Sequence, residues 1–143
     1  MKIVSVGYIK TEEFDNPLDW LKRIGFYTGV LEELARHHDV LSIERINFNG
    51  VHRQNGVTYY FIRLKRKVIL LPWRMHQFIK KQRPDVVLVH GFVFPLQIIQ
   101  LRWALGKKVK IIVQNHAEKP AAGGMEFLQR IADRYISAYL FTS

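Results

Sequence analysis

The sequence contains no cysteine among its 143 residues. Disulfide bonds, zinc sites built on thiolates and cysteine nucleophiles are therefore excluded. The absence also fits a reducing compartment, so we expect a cytoplasmic protein. With 48% hydrophobic residues, the chain can bury a core of its own, and we interpret residues 1–143 as a single domain.

Long uninterrupted apolar stretches are also missing. The run from Val68 to Leu71 ends at Pro72, and polar residues interrupt the apolar segment that follows Phe94. Neither approaches the roughly 20 residues that span a bilayer. The amino terminus reaches Lys10 after too short an apolar stretch for a signal peptide. We therefore expect no membrane-spanning segment.

The common motifs of nucleotide binding and hydrolysis are absent. Gly7 follows the first predicted strand without the other glycines of a dinucleotide-binding fingerprint, and there is no Walker phosphate-binding loop. The His-Glu-x-x-His pattern of zinc proteases and the Gly-x-Ser-x-Gly pattern of serine hydrolases are missing as well. These absences argue against a dehydrogenase, an NTPase, a zinc protease or a serine hydrolase. We expect neither a cofactor nor a metal.

Acidic residues are few relative to basic ones. Twelve Asp and Glu residues stand against 22 Lys and Arg residues, which gives a net charge of +10. An excess of this size indicates an anionic partner, such as a nucleic acid, a lipid surface or a phosphorylated ligand. Eight basic residues are clustered: Arg63, Lys65, Arg66, Lys67, Arg74, Lys80, Lys81 and Arg83. This segment is either a solvated helix face or a surface that contacts the anionic partner.

Two short strands that each end in a histidine are the most informative feature that is present. Residues 84–91 and 109–116 contain continuous β-branched and aliphatic runs, as expected for strands buried on both faces of a parallel sheet. Residues 94–105 are long enough for the helical crossover between them. Open parallel sheets bind ligands beyond the carboxyl ends of their strands. The sequence therefore predicts a polar site at His90 and His116.

Hydrophobic periodicity predicts alternating strands and helices along the rest of the chain. Further strands are expected at 2–8, 40–46, 57–64 and 136–141. Helices are expected at 25–36, 72–82 and 125–135, and a short helical turn is expected to start at Asn16 and Pro17. Residues 47–56 are predicted to be a turn-rich connection. This alternation favours an α/β, Rossmann-like three-layer domain with a mostly parallel sheet. Right-handed crossovers predict the order 3-2-1-4-5-6 for the six strands, with both histidines at one edge.

Several short segments occur in an order that resembles one enzyme family. They are Lys2-Ile3-Val4, Gly25 followed by Leu31, Leu34 and Ala35, His38-Asp39-Val40, Asn55-Gly56-Val57, residues 84–90, His116, and Ala132-Asp133 through Ser143. Each is degenerate alone, but their order and spacing across the whole chain resemble the amino-terminal domain of GT-B glycosyltransferases, of the kind found in glycosyltransferase family 4. The chain departs from the family at Leu88, where a histidine is usual, and at Phe26, where a second glycine is usual. Phe26 is expected to weaken the approach of backbone amides to a diphosphate.

The resemblance implies one half of a GT-B fold that helps transfer a glycosyl group from a nucleotide-sugar donor to a lipid, polysaccharide or small acceptor, with retention of configuration. It implies that His116 is catalytic. The residues that it implies for substrate binding are Arg23, Gly25, His90, Gly91, Glu118 and Lys119. A carboxy-terminal domain with two glutamates eight residues apart, which is absent from residues 1–143, would hold most of the nucleotide sugar. The 143-residue chain alone is therefore expected to be inactive.

Many enzymes of this family use lipid-linked acceptors, so the resemblance implies a membrane surface as the partner of the basic segment. The residues expected to face an anionic membrane surface are Lys65, Arg66, Lys67, Trp73 and Arg74, which would hold the protein peripherally at the inner membrane face. The alternative function is a non-catalytic basic α/β domain that binds nucleic acid or another anionic ligand, with steeply salt-dependent binding. A flavodoxin-like regulator is a further alternative, but no acidic cluster that resembles a phospho-acceptor site follows the first strand. We expect the transferase rather than nucleic-acid binding.

Overall fold

A computed structural model describes residues 1–9, 11–63, 71–91, 94–116, 119 and 122–141. The strands in these ranges are β1 (Lys2–Gly7), β2 (Asp39–Glu44), β3 (Gly50–Gln54), β4 (Val57–Phe61), β5 (Val86–His90), β6 (Lys110–Asn115) and β7 (Ala138–Phe141). The helices are α1 (Pro17–Arg23), α2 (Gly25–Ala35), α3 (Trp73–Lys81), α4 (Pro95–Leu105) and α5 (Gly124–Asp133). The predicted α/β class is confirmed.

The seven strands form one sheet in the order β3-β4-β2-β1-β5-β6-β7. All neighbours are parallel except β3 and β4, which pair antiparallel. The six predicted strands therefore have the predicted order. The prediction of a connection without a strand over 47–56 was wrong, because this segment contains β3. Asn55 and Gly56, with φ values of 50° and 82°, form the two-residue turn of the β3–β4 hairpin, a turn that favours Asn-Gly.

Helices cover both faces of the sheet, which gives the Rossmann-like three-layer architecture. On one face, α1 and α2 contribute Leu21, Tyr27 and Leu31 to an apolar cluster, which also includes Ile24 between the two helices. On the other face, α3, α4 and α5 contribute Met75, Ile79, Ile98, Leu101 and Ala132. Successive strand residues alternate between these clusters, as Ile3 and Val4 of β1 do.

A local cap fixes the start of the helix that carries one wall of the site. The Asn16 side chain accepts hydrogen bonds from the N–H groups of Leu18 at 2.9 Å and Asp19 at 3.4 Å, and Pro17 is the first helical residue of α1.

The longest of the described helices, α2 and α4, have 11 residues each. Within the described ranges, no helix combines the length and apolar character required to cross a membrane.

Candidate functional site

A cleft of about 470 Å³ opens at the carboxyl edge of the sheet. Residues at the ends of β1, β2 and β5 line it together with side chains of α1 and α2. His90 and His116 both line the cleft, so the predicted meeting of the two histidines at one edge is present. The cleft therefore lies where parallel sheets of this kind bind ligands.

His90, the last residue of β5, is enclosed by neighbouring side chains. Its Nε2 lies 2.6 Å from the Oγ of Ser5 on β1. Its ring packs against that of Tyr27, with centroids 4.4 Å apart, and lies 6.1 Å from the nearly parallel ring of His116. Burial, and to a lesser extent His116, lower the pKa of His90 to about 4, while the Gln114 side chain acts in the opposite direction. The His90 imidazole is therefore neutral at pH 7 and can act through hydrogen bonds.

His116 follows β6 and is half-buried at the rim of the cleft. The ring of Phe26 stands edge-on to it, with centroids 6.1 Å apart. Phe26 also lines the cleft and is 71% exposed. The residue that departs from the glycosyltransferase pattern is thus an aromatic wall beside the predicted catalytic histidine. Its ring offers an apolar face to a bound ligand.

Glu44, at the end of β2, places a buried carboxylate in the same cleft. The carboxylate accepts hydrogen bonds from the Trp20 indole at 2.9 Å, from the Ser42 hydroxyl at 2.7 Å, and from the Tyr27 hydroxyl at 3.1 and 3.2 Å. Burial raises the pKa of Glu44, and these hydrogen bonds act in the opposite direction. Because Tyr27 also packs on His90, one aromatic ring holds both the carboxylate and the imidazole in position.

Two glycines shape the floor of the cleft. Gly7 pairs with His90 in the register of β1 and β5, and a Cβ added to Gly7 would meet no atom within 4 Å. Gly7 therefore leaves space for a ligand. Gly91 has a φ of 81°, a conformation that favours glycine, and donates its N–H to the Gln114 carbonyl at 2.8 Å. The chain thus leaves the sheet directly after His90.

The structure brings together only part of the predicted set of substrate-binding residues. Arg23, His90 and Gly91 line the cleft. Gly25 begins α2 beside the cleft without lining it, and Lys119 is exposed and does not line it either. Glu118 lies outside the described residues.

The sequence analysis missed three charged residues of the cleft: Glu13, in the segment between β1 and α1, and the adjacent pair Glu44 and Arg45. Glu44 and Arg45 lie within the strand predicted at 40–46, so they were interpreted as strand residues and not as residues at a strand end. β2 ends at Glu44, and the same rule that selected His90 applies to this position. The signal that could have identified them is the pair of charges directly after the apolar run of the strand beside β1.

The assembled groups suit a polar ligand. Among the residues that the structure describes, no three His, Asp or Glu side chains converge in a way that could hold a metal ion. The cleft offers a neutral imidazole, the buried carboxyl group of Glu44, the exposed Glu13, guanidinium groups and aromatic faces, which can bind hydroxyl-bearing or anionic molecules. Comparison of the chain with models of protein families, with curated proteins and with solved structures found no match.

Proposed function

We propose that this chain is the acceptor-side domain of a GT-B glycosyltransferase, and that the cleft binds the reacting sugar and acceptor. The observation that carries the proposal is the meeting of His90, His116 and Glu44 in a cleft of about 470 Å³. Pockets for small ligands commonly have about 300–1,000 Å³ and a few convergent polar groups. The Rossmann-like fold supports the proposal because such a domain forms one half of a GT-B enzyme.

The proposed reaction assigns roles to His116, His90 and Arg23. The acceptor hydroxyl oxygen forms a bond to the anomeric carbon of the donor, the bond from that carbon to the nucleotide diphosphate breaks, and the hydroxyl proton passes to the departing diphosphate oxygen. In this proposal His116 contacts the transferred sugar, while the neutral His90 forms a hydrogen bond with a sugar or acceptor hydroxyl. Arg23, at the end of α1, stabilises the negative charge that develops on the leaving diphosphate.

The proposal requires a second domain to complete the enzyme. That domain would be α/β, would carry two glutamates eight residues apart, and would hold most of the nucleotide sugar. A cleft with only one wall leaves the reacting groups open to water and unfixed relative to each other. We therefore expect the purified 143-residue chain to turn over no sugar nucleotide, and measurable transfer by this chain would contradict the two-domain proposal.

Blocking the cleft at Gly7 tests whether it binds sugars. Valine at this position enters open space in a strand, so Gly7→Val should retain the fold. Saturation-transfer NMR with a panel of methyl glycosides and sugar nucleotides should give sugar signals with the unaltered chain and lose them with Gly7→Val. Arg53→Val, on the exposed edge strand β3, is the control for an added apolar side chain. Sugar binding that survives in Gly7→Val, or is absent from the unaltered chain, would contradict the proposal.

A second surface favours a membrane-bound acceptor. Leu71 and Trp73 are 67% and 62% exposed at the start of α3, and the adjacent Arg74 is exposed as well. An exposed indole beside a basic side chain suits the interface of an anionic bilayer. The other residues predicted for this surface, Lys65, Arg66 and Lys67, lie outside the described residues. We extend the proposal to a peripheral contact between the start of α3 and the inner membrane face.

A further inference from the structure

Arg45 is a buried cation in the wall of the cleft. Only 2% of its surface is exposed, and it directly follows β2. Its Nη1 donates to the Tyr8 carbonyl at 2.8 Å, and its own carbonyl accepts from the Thr11 N–H at 3.1 Å. Tyr8 is itself held, because its hydroxyl lies 2.9 Å from the Nε2 of His76. These contacts give the guanidinium a defined position.

Two nitrogens of this guanidinium are left without a partner. Nε and Nη2 of Arg45 are buried and have no hydrogen-bond acceptor in the described part of the chain, which also supplies no ion pair to Arg45. The neighbouring Glu44 directs its oxygens to Trp20, Tyr27 and Ser42. Burial lowers the pKa of the Arg45 guanidinium, an effect that Tyr8 opposes. A buried charge with unused donors is costly, so its presence in a cleft indicates that a ligand supplies the missing acceptors.

The geometry of the unused donors restricts the ligand. Nε and Nη2 lie on one edge of the planar guanidinium, and their N–H bonds can point in parallel at two oxygens of the same carboxylate or phosphate. A single neutral hydroxyl oxygen cannot accept from both of these parallel N–H donors in the same way. The net charge of +10 and the second cleft arginine, Arg23, also attract an anion toward this edge of the sheet.

We propose that the cleft binds a phosphate- or carboxylate-bearing ligand whose anionic oxygens accept hydrogen bonds from Nε and Nη2 of Arg45. Because Arg45 lines the cleft, the anionic group enters from the cleft and completes the hydrogen bonding of the guanidinium. The inference defines the chemical class of the ligand and does not depend on glycosyl transfer. A binding domain without catalytic activity would use Arg45 in the same way.

The Nε–H group of Arg45 gives a direct measurement in the unaltered 143-residue chain. Titration with inorganic phosphate should shift its ¹⁵N–¹H resonance until the shift saturates, whereas sodium chloride at matched ionic strength should not. Sodium acetate provides the carboxylate arm. Saturation by phosphate alone identifies a phosphate-bearing ligand, and saturation by acetate alone identifies a carboxylate-bearing one. The absence of a saturable shift with both anions overturns the proposal.

A pair of lysine substitutions tests the contribution of the paired Nε–H and Nη2–H donors of Arg45. Arg45→Lys keeps the charge but removes the paired donors, so the apparent anion affinity should fall by about 10- to 100-fold, the effect of losing a charge-assisted hydrogen bond. Arg53→Lys, at an exposed arginine of β3 that does not line the cleft, is the matched control and should change the affinity by less than about threefold. An equal loss in both variants would reduce the effect to general attraction and overturn the proposal.

The two readouts remain separable. If Arg45→Lys fails to fold, the titration of the unaltered chain still decides the outcome, because the Arg45 resonance is observed there. The sugar-binding experiment at Gly7 uses neutral methyl glycosides as well as sugar nucleotides. Failure of the anion site therefore leaves that experiment, and the proposed transferase function, to be judged on its own result.

Discussion

The two histidines of the cleft differ in how much of the surrounding packing depends on them. His90 contacts Ser5 and Tyr27 and lies at the centre of the site, so its substitution would disturb neighbouring groups together. His116 is half-buried after the end of β6, beside the exposed ring of Phe26. In the enzyme that we propose, a loss of activity on substitution of His116 would therefore point to a lost contact with the substrate.

This difference leads to a prediction for the complete glycosyltransferase that we propose. His116→Ala should lower kcat by about 10²-fold or more, the scale expected when one well-placed polar group is removed from an active site. The thermal unfolding midpoint should stay close to that of the unaltered enzyme. Steady-state kinetics and a thermal melt on the same preparation test both parts. Near-normal turnover in a stable variant would make His116 a structural residue.

Two histidines, His76, which is buried, and His90, which is partly buried, make the stability of the fold sensitive to acid. Burial lowers the pKa of His76 from 6.5 to about 4, and burial together with His116 lowers that of His90 to about 4. The unfolded chain then binds more protons than the folded chain between pH 6.5 and about 4. The stability that the neutral histidines provide is present above this window and is lost as the pH falls through it. Glu44, whose pKa is raised by burial, acts in the opposite sense.

Urea unfolding at about pH 7 and about pH 5 measures this dependence, and each histidine should account for about 2 kcal/mol of the loss. His76→Gln removes one titrating group while keeping a polar partner for the Tyr8 hydroxyl. The difference in unfolding free energy between the two pH values should therefore shrink by about 2 kcal/mol in the variant. Comparing the variant with the unaltered chain at each pH cancels the contribution of Glu44. An unchanged pH dependence would show that His76 titrates normally in the folded protein.

At the scale of elements, the β3–β4 hairpin depends on the conformation of its turn. Gly56 has a φ of 82°, and a Cβ there would lie 3.3 Å from that of Ala35. Gly56→Ala should lower the free energy of unfolding by about 1–2 kcal/mol, because an L-residue is strained in the left-handed region. Gly7→Ala is the matched control, since its Cβ meets no atom within 4 Å. Equal unfolding midpoints in urea for the two variants would contradict this account of the turn.

The sequence pattern predicted the central strands, whose residues are buried on both faces of the sheet. Strands β5 and β6 are continuous aliphatic runs, and that pattern located both strands together with His90, which ends β5, and His116, which follows β6. The short strand β3 escaped detection because it lies at the sheet edge and its residues are only partly buried. Glu44 and Arg45 were missed because their burial depends on tertiary packing. The rings of Trp20 and Tyr27 that bond to Glu44 lie 24 and 17 residues away in sequence.

For the whole molecule, the net charge of +10 favours contact with anionic surfaces. Each basic residue near an anionic membrane contributes about 1 kcal/mol to binding. Co-sedimentation should be stronger with phosphatidylserine-containing vesicles than with phosphatidylcholine vesicles, and it should weaken as salt is added. Trp73→Ala should reduce it, whereas Trp103→Ala, at an indole that is 73% exposed on α4, should not. Equal binding to both vesicle types, or no binding at low salt, would show that the start of α3 is a solvated surface that does not contact membranes. Salt-dependent binding to DNA would instead favour the alternative function, a non-catalytic domain that binds nucleic acid.

The hydrogen bond between the Trp20 indole and Glu44 also gives the protein an optical reporter. The chain has three tryptophans, and two of them, Trp73 and Trp103, are 62% and 73% exposed. Trp20 is only half-exposed, lines the cleft and packs edge-on against Phe14. Iodide in solution quenches exposed indoles first, so the remaining fluorescence comes mainly from the wall of the cleft. Changes in its emission wavelength would report ligand entry in real time, without a label and without knowledge of the ligand.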